Sequence, residues 1–200
     1  LSLPVCYVTF PAFTHSGPSA HIPLPWFAVA SFFLGISYSL YVRITQVFDN
    51  VAAIEVENSR QVLVEGNVAR NNTGGILVFI TPGLPIKSSY DAVIRRNFVT
   101  SNNTPNFAIP GSLVAGIPSG TGVLVMSGDR VVIEDNIITG NNTGGIIVTS
   151  GDFVTEVASD RDSDPHSDNV EIRNNVMFDN GNDPDGEMKL LMLSKFVLFH

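Results

Sequence analysis

Residues 122–149 read GVLVMSGDRVVIEDNIITGNNTGGIIVT, and the rest of the chain repeats their pattern. Two short runs rich in β-branched residues, 123–125 and 131–133, are separated by a tight turn, and an asparagine-rich corner then leads to Gly145 and a new first strand. Such runs between turn-forming residues are typical of short strands. The stretch therefore predicts one turn of a solenoid, with two strands and an asparagine corner.

The same frame recurs along the chain. A weaker copy, LYVRIT, lies at 40–45. Ala53 is 22 residues before Gly75, and Gly122 is 23 residues before Gly145, which is a period typical of a parallel β-helix. We therefore predict an all-β parallel β-helix of about four to five coils over residues 40–186. The four clear copies are VLVEGN at 62–67, AVIRRN at 92–97, VVIEDN at 131–136 and VEIRNN at 170–175.

The repeat also predicts which side chains form the core. Side chains alternate across a strand, so each strand contributes one inward column. The predicted core columns are Ile54/Val56, Ile76/Val78, Val123/Val125 and Ile146/Val148 in the first strand, and Val62/Val64, Ala92/Ile94, Val131/Ile133 and Val170/Ile172 in the second. At the corner that closes the frame, stacked amides are expected to hydrogen-bond from coil to coil as a ladder formed by Asn67, Asn97, Asn136 and Asn175.

The outward positions of the two strands differ in character. In the second strand they alternate in charge, which favours ion pairs between neighbouring coils and supports the register. These residues are Arg43, Glu65, Arg95, Glu134 and Arg173. In the first strand the outward row is apolar and consists of Leu77, Leu124 and Ile147. An exposed apolar row is expected to be covered by a loop, by the N-terminal segment or by another protein.

Composition limits the classes of function. The 200 residues are 44% hydrophobic, which is enough for one domain with a continuous core. The net charge of -8 argues against a nucleic-acid partner, which would require a basic face. An acidic polysaccharide remains compatible with this charge, because it can be bound through cations. Cys6 is the only cysteine, so no internal disulfide is expected.

The two ends of the chain depart from the repeat. Residues 1–39 contain no Lys, Arg, Asp or Glu, and they are interpreted as an apolar cap, a truncated export or membrane-anchor segment, or residues foreign to the domain. Residues 187–200, EMKLLMLSKFVLFH, are interpreted as an apolar cap on the open end of the helix or as a product of truncation. A secreted or periplasmic location is expected.

Two insertions at the corner between strands are the predicted functional loops. The segment 80–91 adds about 8 residues, and the segment 150–168 adds about 16 at the same corner two coils later. They are expected to flank a notch with Asp129 and Arg130 at its floor. Lys87 and Tyr90 would meet a sugar across this notch. A third insertion, at 105–120, is apolar enough to pack over a flank.

The acidic part of the second loop, DRDSDPHSD at 160–168, has several interpretations. It could be a solvated acidic turn whose bend is set by Pro165. It could also hold Ca²⁺, because carboxylate oxygens are the ligands that calcium prefers. The candidate ligands are Asp160, Asp162, Asp164 and Asp168.

The pattern as a whole resembles right-handed parallel β-helix proteins of the pectin-lyase-like superfamily. The stretches PGLPIK at 82–87 and VAGIPSGTGVLVM at 114–126 are similar to a bacterial group described as parallel β-helix repeat proteins. The resemblance implies a right-handed β-helix. It does not imply one activity, because the superfamily includes lyases, hydrolases, epimerases and inert scaffolds.

A local resemblance concerns Asp164-Pro165-His166 and the following NVEIRNNVMFDNG at 169–181. These residues are similar to the DPH motif and the next coil of mannuronan C5-epimerases and related alginate lyases. In that family the Asp and His act with a Tyr and an Arg on the uronate carboxylate and the C5 proton. The resemblance implies catalytic roles for Asp164 and His166 only. An enzyme would also need a cation at the carboxylate, and Arg130 or Lys87 is our hypothesis for it. Arg161 stands where the family has its Tyr.

Three hypotheses about function follow. The first is a carbohydrate-associated protein whose notch, lined by loops 82–91 and 150–168, contacts an acidic polysaccharide. The second is a non-catalytic scaffold that binds another protein through Leu77, Leu124 and Ile147. The third is a uronate C5-epimerase or polysaccharide lyase.

Overall fold

The structure is a computed structural model that describes residues 40–152, 154–186 and 188. The predicted terminal segments, 1–39 and 187–200, lie outside these residues except for Met188. Besides its strands the described part contains a 3₁₀ helix at Leu113–Gly116 and one short α-helix, α1, at Thr155–Ser159. The strands are β1 Leu40–Arg43, β2 Gln46–Val47, β3 Ala52–Glu57, β4 Arg60–Glu65, β5 Val68–Arg70, β6 Gly74–Phe79, β7 Ser89–Arg95, β8 Phe98–Thr100, β9 Thr121–Met126, β10 Gly128–Asp129, β11 Val132–Glu134, β12 Ile137–Thr139, β13 Gly144–Thr149, β14 Glu171–Arg173 and β15 Val176–Phe178.

These strands form three parallel sheets that wind into a single β-helix. The first sheet has the order β1-β4-β7-β11-β14, with β10 also paired to β7; the second is β15-β12-β8-β5-β2, and the third is β13-β9-β6-β3. Four coils contribute one strand to each sheet, and β14 and β15 begin a fifth coil. The predicted parallel β-helix of about four to five coils is therefore confirmed. The predicted two strands per coil are wrong, because the asparagine corner contains a third strand of two or three residues.

The predicted register and core are confirmed over most of the helix. Val62 pairs with Leu40 and Ala92, and Ile133 pairs with Ile94 and Ile172. The predicted inward side chains of the first three copies form one buried cluster, and Ile146 and Val170 of the fourth are partly buried against it. Val148 and Ile172, predicted to be core, are 41% and 48% exposed. They lie on β13 and β14, the end strands of the third and first sheets, where no further strand of the described residues packs against them.

The predicted asparagine ladder is confirmed. The Nδ2 atoms of Asn67, Asn97 and Asn136 each donate to the Oδ1 atom of the next ladder residue, at 3.0, 3.0 and 2.9 Å, and the last acceptor is Asn175. The backbone N–H of the same donor residues bonds the same Oδ1 atoms. The second Nδ2 proton of Asn97 bonds the Val64 carbonyl of the preceding coil. Each amide therefore links the coil before it to the coil after it.

A second ladder follows the third strand of each coil, and the sequence reasoning missed it. It consists of Asn50, Asn72, Asn102, Asn141 and Asn180. In both ladders the residue before the asparagine has a positive φ, as in Gly66 (68°), Asp135 (55°) and Gly140 (67°). This left-handed residue turns the chain at the corner, and Gly, Asn and Asp adopt it most readily. The signal was present as the dipeptides DN, NN, SN, GN and DN ending at these positions.

Loop 105–120 covers the apolar outward row of Leu77, Leu124 and Ile147. Cover by a loop was one of the three possibilities expected from the sequence. Leu77 and Leu124 are 0% and 5% exposed and pack with Ile117, while Ile147 is partly buried at the edge of the same cluster. The hypothesis of protein contact through Leu77, Leu124 and Ile147 is corrected accordingly, because the loop of the chain itself occupies this face. The expectation that the third insertion packs over a flank is confirmed.

We expect Asn102→Ala to destabilise the protein by about 2–4 kcal/mol, because it leaves buried N–H groups of Asn72 without an acceptor and the Ala69 carbonyl without a donor. Urea unfolding followed by circular dichroism measures the change. Exposed Asn182→Ala is the matched control and should shift stability by less than about 0.5 kcal/mol. Equal stability of the two variants would contradict the structural role of the second ladder.

Glu55 gives a prediction about pH. It is 8% exposed on β3, and burial, together with the charge of Glu57, raises its pKa from 4.5 to about 7. Because the folded-state pKa is the higher one, its contribution to stability is complete below about pH 4.5 and is lost as the pH rises through 7. Glu55→Gln should therefore become more stable relative to the parent between these pH values, by up to about 3 kcal/mol.

Chemical unfolding at pH 4, 6 and 8 tests this dependence. Asp179→Asn, which removes an exposed carboxylate, serves as the control. A stability difference between Glu55→Gln and the parent that is the same at all three pH values would argue against a raised pKa.

Candidate functional site

Tyr90 lies at the centre of a stack on the first sheet. Arg60 on β4 and Arg130 after β10 lie over its ring, with their guanidinium carbons 4.8 and 4.7 Å from the ring centroid. The stack forms because Tyr90 pairs in register with Arg60 on one side and Asp129 on the other. Each contact of this kind contributes about 0.5–1 kcal/mol at an exposed site. The predicted binding residues Tyr90, Asp129 and Arg130 are therefore neighbours in the structure.

Both floor residues of the predicted notch are held by other groups. Arg130 binds Asp91 through two bonds, Nε–Oδ1 at 2.6 Å and Nη2–Oδ2 at 3.0 Å. The hydrogen bond from Arg130, partly opposed by burial, lowers the pKa of Asp91 below its ordinary value. Asp129 Oδ1 accepts the backbone N–H of Asp168 at 3.0 Å. Arg130 is therefore already paired with a carboxylate.

The two predicted functional loops contact each other. Lys87 Nζ lies 2.8 Å from Asp160 Oδ2, and the backbone N–H of Gly83 donates to the same oxygen at 3.2 Å. The hydrogen bond from Lys87 is the main cause that holds the pKa of Asp160 well below its usual range. Lys87 is therefore in an ion pair between the loops instead of facing an open notch.

Asp164 and His166 are in contact but exposed. His166 Nδ1 lies 3.2 Å from Asp164 Oδ1, and its Nε2 lies 3.5 Å from Asp152 Oδ2, with the three side chains more than half exposed. Asp164 Oδ1 also accepts the backbone N–H of His166 at 3.0 Å, which is a local turn bond. The two cations considered for an epimerase or lyase, Lys87 and Arg130, are paired with Asp160 and Asp91. The structure thus brings the Asp164 carboxylate and the His166 imidazole into contact. Lys87 and Arg130 are each already in an ion pair and do not face them as free cations.

The predicted calcium ligands are not gathered into one cluster. Among residues 40–152, 154–186 and 188, no group of three or more His, Cys, Asp or Glu side chains is placed to hold a metal ion. Asp160 points to Lys87, Asp164 bonds its own turn, and the Asp168 backbone lies against Asp129. Asp162 is exposed. The donor set required for calcium is therefore not formed by these four aspartates.

A shallow groove on the outside of the first sheet was missed by the sequence reasoning. Its volume is about 390 Å³, and its lining residues are Tyr41, Gln61, Val62, Leu63, Asp91, Val93 and Arg95. Tyr41, Leu63 and Val93 are partners in register on β1, β4 and β7 and form its floor. In the sequence, the groove corresponds to the outward row Tyr41, Leu63 and Val93, which lies between two rows of polar residues. This row can be recognised only after the strands have been aligned side by side.

One side of the groove is the predicted row of alternating charges. Glu65 pairs with Arg43 at 2.5 Å, Arg95 at 2.9 Å and Arg96 at 3.0 Å, and Glu134 pairs with Arg173 at 2.7 Å. Burial would raise the pKa of Glu65, but the hydrogen bond from Arg95 and the charges of Arg43, Arg95 and Arg96 lower it. Three guanidinium groups therefore share one carboxylate beside the groove.

Glu65→Gln should lower the thermal unfolding midpoint at pH 7, and this difference should become smaller as the pH falls. A carboxyl whose folded-state pKa is lowered stabilises the fold above its ordinary pKa of 4.5, and this contribution is lost as the pH falls through the folded-state value. Thermal unfolding between pH 3 and 7 measures the difference. Glu171→Gln, at an exposed carboxylate paired with Arg173, is the control. A midpoint difference independent of pH would show that the charge of Glu65 is not what stabilises the row.

The coils, the inward columns and the ladders define a solenoid of the parallel β-helix class. Residues 30–162, more than half of the chain, match the family model described as right handed beta helix region, and the chain belongs to this family. No curated protein and no solved structure gives a significant match. The family match ends before Asp164, so the similarity of residues 164–166 to the epimerases remains a hypothesis. In the part of the chain that the structure describes, no helix is long and apolar enough to span a membrane.

Proposed function

We propose that this right-handed β-helix protein binds an acidic polysaccharide, without catalysing a reaction, in the groove on its first sheet. The observation that carries the proposal is an exposed aromatic ring, Tyr41, in the same groove as the guanidinium of Arg95. The proposed contact lies beside Tyr90 in loop 82–91. It does not require an open notch between that loop and loop 150–168.

The shape of the groove supports a binding role. Neighbouring coils are about 4.8 Å apart, so the floor from Tyr41 through Leu63 to Val93 extends over about 10 Å. The volume of about 390 Å³ lies within the range of small-ligand sites, which combine an apolar lining with a few polar groups. Gln61, Asp91 and Arg95 supply the polar groups. The apolar face of a sugar could pack on the floor while its hydroxyl groups bond the rim.

The charge beside the groove supports an acidic ligand. Arg43, Arg95 and Arg96 carry three positive charges against the one negative charge of Glu65, although the chain as a whole has a net charge of -8. Arg43 and Arg96 are 53% and 62% exposed and keep donors available. Guanidinium groups bind carboxylates through charge-assisted hydrogen bonds. A polymer carrying carboxylates would therefore be attracted to this part of an otherwise acidic surface.

The contact between Asp164 and His166 favours a second candidate, a uronate C5-epimerase or lyase. This chemistry needs a cation at the substrate carboxylate. Lys87 and Arg130, the cations considered for this role, are bound to Asp160 and Asp91. A reaction that used either of these cations would therefore require breaking its ion pair. We rank binding without catalysis above this alternative for that reason.

The proposal is tested by affinity electrophoresis and calorimetry with alginate and polygalacturonate, with neutral dextran as the control polymer. Tyr41→Ala and Arg96→Ala should each weaken binding of the acidic polymers about tenfold. Arg70→Ala, which removes a guanidinium that stacks on Phe48 beside the second sheet, is the charge-matched control and should change binding less than twofold. Binding should also weaken as salt is added.

Other outcomes separate the alternatives. Release of unsaturated uronates or changed C5 stereochemistry, abolished by His166→Ala, would replace the proposal by an enzyme. The absence of binding to either acidic polymer would leave a structural scaffold. Equal loss of binding in Arg70→Ala and Arg96→Ala would move the contact away from the groove.

A further inference from the structure

Three guanidinium groups converge on one carboxylate at the edge of the groove. Arg95 Nε and Arg96 Nη1 donate to the same oxygen, Glu65 Oε1, at 2.9 and 3.0 Å. Arg43 Nη2 lies 2.5 Å from the other oxygen, Glu65 Oε2. We call Arg43, Arg95 and Arg96 the arginine cluster. Among the described residues their ion pairs all go to Glu65, so the cluster carries two positive charges in excess.

Strand register does not explain the third cation of the cluster. Arg43, Glu65 and Arg95 are partners in register on neighbouring coils and belong to the row of alternating charges. Arg96 lies outside this row, at the corner that follows β7. It adds a positive charge where two are already present, and like charges placed together repel. An anion bound over the cluster would offset this repulsion.

The backbone at Arg96 supports a role beyond the fold. Arg96 has a φ of 53°, in the left-handed region. The equivalent corner positions of the second, fourth and fifth coils are Gly66, Asp135 and Asn174, which are residue types that adopt this region readily. An arginine is less favoured there, and residues kept in such conformations are concentrated at functional sites.

The cluster keeps hydrogen-bond donors available for a ligand. Glu65 is only 5% exposed and lies beneath the guanidinium groups, while Arg43 and Arg96 are more than half exposed. Arg95 and Arg96 each spend one side-chain hydrogen bond on Glu65, and a guanidinium group has five N–H donors. The buried carboxylate therefore holds three cations together while most of their donors remain free.

The cluster borders the floor on which a sugar is proposed to pack. Tyr41 and Arg43 lie two residues apart on β1, and Val93 and Arg95 lie two residues apart on β7. Side chains two apart on a strand share a face and are about 7 Å from each other. A charged substituent on a sugar over Tyr41 would therefore reach the cluster.

We propose that the anionic group bound by the arginine cluster is a sulfate ester, so that the ligand of the groove is a sulfated polysaccharide. This inference rests on the proposed binding of an acidic polysaccharide in the groove. A carboxylate has two oxygens and pairs with a single guanidinium through two parallel bonds. A sulfate ester has three terminal oxygens and accepts hydrogen bonds from three directions, as a phosphate group does. Three guanidinium groups from two strands and a corner match the sulfate ester.

The inference is tested by calorimetry of the full chain with two dextrans of equal length and equal degree of substitution. One is dextran sulfate, the other is carboxymethyl dextran, and unsubstituted dextran is the neutral control. At pH 7 both substituents carry one negative charge on the same backbone, so a difference in affinity reports the shape of the anion. The parent protein should bind dextran sulfate at least fivefold more tightly than carboxymethyl dextran.

Arg96→Lys locates this preference in the arginine cluster. Lysine keeps the positive charge but lacks the planar fork of donors. The variant should bind dextran sulfate about fivefold more weakly than the parent does. Its affinity for carboxymethyl dextran should change less than twofold, because a carboxylate needs one guanidinium and Arg43 is still present. Arg70→Lys, at the guanidinium that stacks on Phe48, is the matched control and should keep the preference of the parent. Circular dichroism establishes that each variant is folded.

Inorganic sulfate distinguishes a polymer from a free anion as the ligand. Sodium sulfate should displace dextran sulfate more effectively than sodium chloride at equal ionic strength, because screening alone does not distinguish the two salts. Free sulfate that bound as tightly as each sulfate group of the polymer would overturn the assignment to a polysaccharide, in favour of a site for a free oxyanion.

The outcomes separate this inference from the proposed function. Equal affinity of the parent for dextran sulfate and carboxymethyl dextran would overturn the sulfate assignment and leave polysaccharide binding in place. Binding of alginate without binding of dextran sulfate would do the same. An equal loss of preference in Arg70→Lys and Arg96→Lys would remove the arginine cluster as its source. The absence of binding to alginate, polygalacturonate and dextran sulfate would overturn both proposals.

Discussion

The structure depends on buried asparagine amides that bond from coil to coil. Each Oδ1 atom of the ladders accepts N–H groups of the coil before it, as Asn97 does from the backbone and the side chain of Asn67. A buried amide that lacked these partners would destabilise the folded protein more than an unpaired polar group at the surface, which water can hydrogen-bond. Each coil therefore requires its neighbours, and stability is shared between adjacent coils, as expected for a solenoid. These hydrogen bonds set the register of successive strands, and the side chains of the candidate site are not needed for it.

Insertions are accommodated because they enter where the ladders do not run. Loop 80–91 and loop 150–168 leave at the corner between the third and first sheets, and loop 105–120 leaves after the second ladder. Pairing in the first sheet keeps its register across two of these insertions, since Val93 pairs with both Leu63 and Val132 and Val132 pairs in turn with Glu171. The helix thus presents variable loops on a constant frame. The candidate site and the loop-to-loop ion pair both belong to or adjoin these insertions.

The ion pairs seen in the structure change which cations are available to bind a ligand. Lys87 and Arg130 look like substrate-binding cations in the sequence, yet each is paired with a carboxylate from a distant segment, 73 and 39 residues away. Arg43 and Arg95 served only to support the register in the sequence interpretation. In the structure they share a single partner, Glu65, with Arg96. Positive charge in excess therefore lies beside the groove of the first sheet and not at the predicted notch.

The sequence by itself determined the period, the inward columns, the first ladder and the alternating charges, because these features repeat once per coil and stacking converts repetition into contact. It did not determine the third strand or the second ladder as structure, since runs as short as Ile137–Thr139 carry little signal beside their turns. Only the tertiary structure decided that Lys87 meets Asp160, that loop 105–120 buries Leu77 and Leu124, and that Tyr41 and Arg95 share a groove. These contacts join segments without periodicity, and their geometry depends on loop conformations that no repeat specifies.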